Sequence, residues 1–134
     1  MSGFGETKKS KKRKISHLRH KYDENEILKK AINFHYEGNI LQASQLYKFL
    51  IDQGCQNSTI FSNYGLILIN NGKIKDAEFF IRKAIELNPK DSTAHYNLGG
   101  ILKNQRKIKD AEFFIRKAIE LNPKDSTAHY NLAI

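Results

Sequence analysis

The sequence predicts an all-α solenoid of antiparallel helix–turn–helix repeats, and three observations predict it. The stretch KIKDAEFFIRKAIELNPKDSTAHYNL at Lys73–Leu98 returns letter for letter at Lys107–Leu132, an offset of 34 residues. A fixed period of this size marks stacked supersecondary units. Within the copies, apolar residues recur three and four positions apart, the spacing of one helix face, and do not alternate as in a strand. Between the apolar runs sit Gly, Asn and Pro, which punctuate helices. A single hairpin of this length cannot bury its apolar stripe alone, so packing against the next hairpin is what folds such an array.

The elements follow in order. Residues 1–22 hold eight Lys/Arg against the single acid Glu6, with Gly, Ser and few apolar side chains. Too little apolar surface is available there to offset ordering entropy, so the expectation is a disordered basic leader. Its run Lys8-Lys9-Ser10-Lys11-Lys12-Arg13-Lys14 could bind nucleic acid, an anionic lipid or an acidic protein surface, or act in nuclear import. It lacks the interleaved aromatics that stack on bases and the apolar–basic pattern of a membrane-surface helix. A solvated leader is therefore preferred to a nucleic-acid site. Structure is expected from Asp23. From Glu24 the residues Ile27, Leu28, Ala31, Ile32 and Phe34 form one helix, ended by Gly38. Asn39 can open the next helix, which carries Ile40, Ala43, Leu46, Tyr47, Leu50 and Ile51 and closes at Gly54.

A second unit starts at Ser58. Its first helix runs through Phe61, Tyr64, Gly65, Leu66 and Leu68, and Asn71-Gly72 makes a turn. Its second helix carries Ile74, Ala77, Phe80, Ile81, Ala84, Ile85 and Leu87. Asn88-Pro89 stops it, because proline disfavours a helical residue before it. Asp91 or Ser92 can cap the third unit, whose helices carry Tyr96, Leu98, Ile101 and Leu102, then Ile108, Ala111, Phe114, Ile115, Ala118, Ile119 and Leu121. Arg106 stands where the preceding unit has Gly72, which costs about 1 kcal/mol if the backbone there is left-handed. A fourth unit opens at Ser126.

Composition narrows the function. The chain has 134 residues, 23 Lys/Arg and 14 Asp/Glu, and the excess of positive charge sits in the leader, leaving 23–134 nearly neutral. Its one cysteine, Cys55, excludes an internal disulfide and a Cys-rich zinc site. It is read as a residue of an inter-helix turn. No apolar run reaches the ~18 residues that span a bilayer, and no apolar segment follows the basic start as in a secretory signal. The expected location is the cytoplasm. No phosphate loop, metal-spaced His/Cys/Asp set or nucleophile beside a base is present, so no enzyme activity, cofactor or metal is expected. The acids Asp76, Glu78 and Glu86 alternate with Lys and Arg as on a solvated face.

The units resemble tetratricopeptide repeats. The resemblance rests on Phe61, Tyr64-Gly65, Leu68, Ala77, Ile81, Ala84 and Pro89 in 58–91. In 92–125 it rests on His95, Leu98-Gly99, Leu102, Ala111, Ile115, Ala118 and Pro123. Residues 24–57 look like a degenerate copy, with Leu50 in place of the second alanine and Cys55 in place of the proline. Residues 126–134 look like a truncated one. The resemblance implies a right-handed superhelix whose first helices line a concave face that binds a protein or peptide segment. On that face it places Asn63, Asn70, Tyr96, Asn97, Asn104, Tyr130 and Asn131. Asn63, Asn97 and Asn131 recur once per repeat, and an amide both donates and accepts, so the row can grip a peptide backbone; the alternative is a structural role for each Asn. The row is similar to the asparagine ladder in the repeat arm of O-glycosyltransferases. The alternative function is a truncated substrate-binding arm of such a glycosyltransferase or of a sulfotransferase. A chaperone-binding carboxylate clamp is not supported, because its positions hold Leu28, Ile32, Ser62 and Leu66. His95 and His129 are read as packing residues, and Phe79 and Phe113 as aromatics on the outward side of the second helices. The ending Asn131-Leu132-Ala133-Ile134 lacks a polar capping helix, which suggests a fragment, a frayed end or self-association through that end.

Overall fold

The computed structural model describes residues 22–124, and among these every regular element is an α-helix. The basic leader and the fourth repeat, including its exposed-end expectation, lie outside the described residues. In order the helices are α1 (Glu24–Tyr36), α2 (Ile40–Asp52), α3 (Ser58–Asn70), α4 (Ile74–Leu87), α5 (Ser92–Asn104) and α6 (Ile108–Leu121). They fall into two compact units divided after Cys55.

The first unit is the α1–α2 hairpin. Asp23 caps α1, its carboxylate accepting from the amides of Asn25 at 2.9 Å and Glu26 at 3.4 Å. Asn39 makes no side-chain cap on α2. Ala31, Ala43, Tyr47 and Leu50 form the buried core. Tyr22 closes one edge, its ring against Phe49 and its hydroxyl donating to Gln53 Oε1 at 2.9 Å. Cys55 is buried, and its thiol donates to Glu24 Oε1 at 2.9 Å. This thiol thus ties the end of the hairpin back to its start and does more than occupy a turn. Burial holds the His35 imidazole below its ordinary pKa, in favour of the neutral ring beside the Tyr47 hydroxyl.

The second unit stacks two hairpins, α3–α4 and α5–α6, with α4 packed on α5. Asn57 caps α3, its side chain accepting from Thr59 N at 2.8 Å and Ile60 N at 3.4 Å. Asp91 caps α5 by accepting from Ala94 N at 3.1 Å. The Ser58 hydroxyl lies within 3.0 Å of the Ala84 carbonyl and 2.9 Å of the Asp91 carboxylate, tying the start of one repeat to its end. Ile60, Ile67, Leu68, Ala77, Ile81, Ala84, Leu98, Ile101 and Leu102 make the core. Each large side chain so buried contributes roughly 1.5–3 kcal/mol. Leu87, in the last turn of α4, is 40 % exposed and lies outside that core.

Four helix ends, those of α1, α2, α3 and α5, share one hydrogen-bond pattern. After α3, Lys73 N donates to Leu68 O at 2.9 Å and Gly72 N to Ile69 O at 3.0 Å; after α5, Lys107 N and Arg106 N repeat this with Leu102 O and Lys103 O. This closure requires a left-handed residue. Gly38, Gly54 and Gly72 supply it at φ of 83°, 83° and 77°, and Arg106 is forced to φ 62°.

Candidate functional site

Two adjacent glycines on α5 have opposite surroundings. A Cβ on Gly99 would lie 2.6 Å from Ile115 Cγ1 and 3.3 Å from the Ala111 carbonyl, so this glycine lets α6 approach. Gly65 does the same for α4, with Ile81 Cγ1 at 2.6 Å. A Cβ on Gly100 would meet none of the described residues within 4 Å, and Gly100 lines a groove.

That groove runs between α3 and α5 and encloses about 400 Å³. This is within the ~300–1,000 Å³ range of ligand pockets. Leu66 and Ile69 line it from α3, with Ile115 of α6 at its base. Tyr96, Asn97, Gly100, Lys103 and Asn104 line it from α5. Positions 96, 97, 100, 103 and 104 fall on one helix face because they step by three and four. Asp91 fixes the start of α5 and the turn at Arg106 fixes its end, so this row is held on a rigid element. Among the described residues lining the groove, Lys103 is the one that is charged at neutral pH.

Asn97 is only 7 % exposed, and its amide nitrogen has no hydrogen-bond partner among the described residues. An unpaired buried amide costs roughly 1–3 kcal/mol. Rotation about the terminal bond exchanges its donor and acceptor ends, so either can meet an incoming group. Among the described residues two other buried side-chain atoms are unpaired, Ser62 Oγ on α3 and His95 Nδ1 on α5. The His95 ring packs on Phe114, and its Nε2 lies 2.8 Å from the Pro89 carbonyl. A carbonyl only accepts, so Nε2 is the donor in this contact. His95 is therefore a packing residue, as its sequence context suggests.

Of the residues expected on the concave face, the groove brings together Tyr96, Asn97 and Asn104. Asn63 is half-buried on α3 and Asn70 is exposed at its last position; neither lines the groove. Tyr130 and Asn131 lie outside the described residues. Lys103 belongs with the site, and so does Gly100, which sequence reasoning passed over. The available signal was a mid-helix glycine at the place where the preceding repeat has Leu66. No group of His, Cys, Asp and Glu among the described residues could hold a metal ion, and no helix among them is long and apolar enough to cross a membrane.

The repeat geometry has a counterpart in family models. Models described as tetratricopeptide repeat match residues 58–91 and 92–125, together just over half of the chain. The chain belongs to the tetratricopeptide repeat family. Solved structures share its fold. The TPR domain of Arabidopsis OM64 superposes with a TM-score of 0.74 at 20 % identity, covering 82 % of this chain and 91 % of that one. The first TPR of Spaghetti (RPAP3), bound to an HSP90 peptide, gives 0.72 at 20 % identity, covering 82 % and 87 %. A variant of the Thermobaculum terrenum O-GlcNAc transferase gives 0.75 at 25 % identity, covering 81 % of this chain and only 21 % of that enzyme. No curated protein matches the sequence.

Proposed function

We propose that this tetratricopeptide repeat chain is a non-catalytic protein-interaction module that takes up an extended peptide segment of a partner in the groove between α3 and α5. The observation that carries the reading is Asn97: a nearly buried amide, unpaired among the described residues, in the wall of an open groove. A peptide carbonyl or amide would complete it. Tyr96 and Asn104 flank it on the same face, and Asn63, Asn70, Tyr130 and Asn131 extend the proposed contact surface to the neighbouring repeats. The RPAP3 domain in the comparison holds an HSP90 peptide. On this chain the positions of a carboxylate clamp hold Leu28, Ile32, Ser62 and Leu66, so a grip along the backbone is favoured over capture of a C-terminal carboxylate. Nucleic acid is not part of the reading, and the expected setting is the cytoplasm.

The test is a random-peptide display selection on the purified full chain. Enriched peptides should lose roughly tenfold in affinity, about 1.4 kcal/mol, on Asn97→Ala. That variant should keep its thermal midpoint, because no described residue loses a hydrogen-bond partner. Peptides that bind Asn97→Ala as well as the parent would remove the groove from the reading.

The likeness to the O-GlcNAc transferase, at 25 % identity, favours a second reading: a substrate-presenting arm of a glycosyltransferase or sulfotransferase. Coding sequence for such a catalytic domain next to this one would support it, and its absence there would count against it. Self-association through the end of the array is a further partner class, and sedimentation at increasing concentration would reveal it.

A further inference from the structure

The four helix ends that close with the same hydrogen bonds differ in the residues that close them. The capping residue is Glu37 after α1, Gln53 after α2, Asn71 after α3 and Gln105 after α5. The left-handed residue behind each is Gly38, Gly54, Gly72 and Arg106. After α3 an asparagine therefore stands before a glycine, and Asn71-Gly72 is the one such pair in the sequence. Both residues are exposed.

That pair has a chemistry of its own. The backbone nitrogen behind an asparagine can attack the side-chain carboxamide carbon and close a five-membered ring. A side chain on the following residue crowds the attacking nitrogen, and glycine has none. Gln53 and Gln105 would have to close a larger ring, which is slower, and the ionised carboxylate of Glu37 resists attack. Asn88 and Asn122 precede prolines, whose nitrogen has no hydrogen to lose. Asn57 precedes the small Ser58, but its side-chain oxygen is held by the amides of Thr59 and Ile60. At Asn71 the fold opposes the reaction through the nucleophile. Gly72 N donates to the Ile69 carbonyl at 3.0 Å, and Lys73 N donates to the Leu68 carbonyl at 2.9 Å. Gly72 N must leave Ile69 before it can reach the Asn71 side chain, so the reaction waits on local opening of the turn.

We propose that Asn71 is a spontaneous deamidation site controlled by the α3–α4 turn, and that its conversion to isoaspartate removes that turn. Gly72 N bonds to Asn71 Cγ, the Cγ–Nδ2 bond breaks, and ammonia leaves with the proton that Gly72 N gives up. Water then opens the succinimide. Attack at Cγ leaves an aspartate on an unchanged main chain. Attack at the main-chain carbonyl leaves an isoaspartate, with the main chain routed through Cβ and Cγ. Nothing is oxidised or reduced. Either product adds a negative charge at the C-terminus of α3, where the helix dipole is already negative. The isoaspartate also lengthens the main chain by one carbon, so the bonds from Gly72 N and Lys73 N no longer close together. The site stands independently of the groove and of what the groove binds.

The experiment incubates the full chain at mildly alkaline pH, in buffer and in guanidinium chloride, and follows each asparagine by peptide mapping and mass spectrometry. Asn71 should convert before every other asparagine in denaturant, with isoaspartate the main product. In buffer it should convert at least about tenfold more slowly, the turn being mostly closed. Gly72→Arg, which copies the turn after α5, should suppress the reaction in denaturant. The purified isoaspartate form should melt below the parent chain, with Asn71→Asp between them. Another asparagine converting first in denaturant would overturn the site. Equal rates in buffer and denaturant would overturn its control by the turn, and an isoaspartate form that melts with the parent would overturn the loss of the turn.

Discussion

α3 and α5 open successive repeats, and they match where helices stack and differ where the groove lies. Gly65 and Gly99 are equivalent, each with an isoleucine Cγ1 2.6 Å from where a Cβ would be. Leu68 and Leu102 are both buried and accept the same turn hydrogen bond. On the groove side the pairs are Leu66 and Gly100, Ile69 and Lys103. The second helices α4 and α6 have identical sequences over their whole length. At these contacts the residue type is held, because a misfit there is felt by two helices, whereas other buried pairs, Ile60 with Ala94 and Phe61 with His95, differ in type. Groove positions face open space and are free to vary with what they meet.

The strongest way to break this comparison is at the stack. Ile81→Ala and Ile115→Ala should each lower unfolding stability by roughly 2–5 kcal/mol, because both side chains are almost wholly buried. Urea denaturation would show it, and a much smaller cost at either site would contradict equivalent packing. Next come the adjacent glycines. Gly99→Ala should destabilise by about 1–3 kcal/mol, since the new carbon meets Ile115 and backbone of α6. Gly100→Ala should instead stabilise by roughly 0.5–1 kcal/mol. Equal signs for the two would erase the distinction between stacking and groove positions.

A smaller effect separates the two turns. Arg106 holds a left-handed φ of 62° where Gly72 holds 77°. Arg106→Gly should therefore raise stability by about 1 kcal/mol or less, the relief of strain being partly offset by a more flexible unfolded chain. A loss of stability would mean that the arginine side chain makes a contact worth more than the strain.

The smallest effect concerns pH. Burial raises the Glu78 carboxyl pKa, but hydrogen bonds from Gln105 and Arg82 and the charges of Arg82 and Lys107 outweigh it and hold it below the ordinary 4.5. A depressed carboxylate adds stability that is present above its unfolded value and lost as pH falls through the folded one. Stability should thus begin to decline near pH 4.5 and continue below it, and Glu78→Gln should flatten that part of the profile. A parallel profile in the variant would show that the bonds to Arg82 and Gln105 contribute nothing measurable.

Most of the stack is legible in the sequence. The 34-residue offset and the Ala, Gly and Ile positions place α3–α6 correctly, and Asp23 and Asp91 announce helix starts. Asn57 is less legible as a cap, since Ser58 next to it is an equally good candidate by type and instead bonds across to Ala84 and Asp91. The site was half legible. Period alone says that Asn63 and Asn97 are equivalent, but a groove has two walls from different helices. Asn97 enters it from α5, while Leu66 and Ile69 supply the α3 wall and Asn63 does not take part. Gly100 was hidden for another reason: the sequence does not say which of two adjacent glycines, Gly99 or Gly100, meets a neighbouring helix. Phe79 and Phe113 fall as expected on the outward side, 61 % and 64 % exposed, each with an edge contact to the next phenylalanine.

The most direct test of the groove is an NMR titration of the isotope-labelled full chain with a display-selected peptide. The account predicts saturable shifts at the Asn97 side-chain amide and the backbone amides of Gly100 and Asn104, with Phe79 and Phe113 unmoved. Shifts confined to the Phe79 and Phe113 faces of α4 and α6 would contradict it.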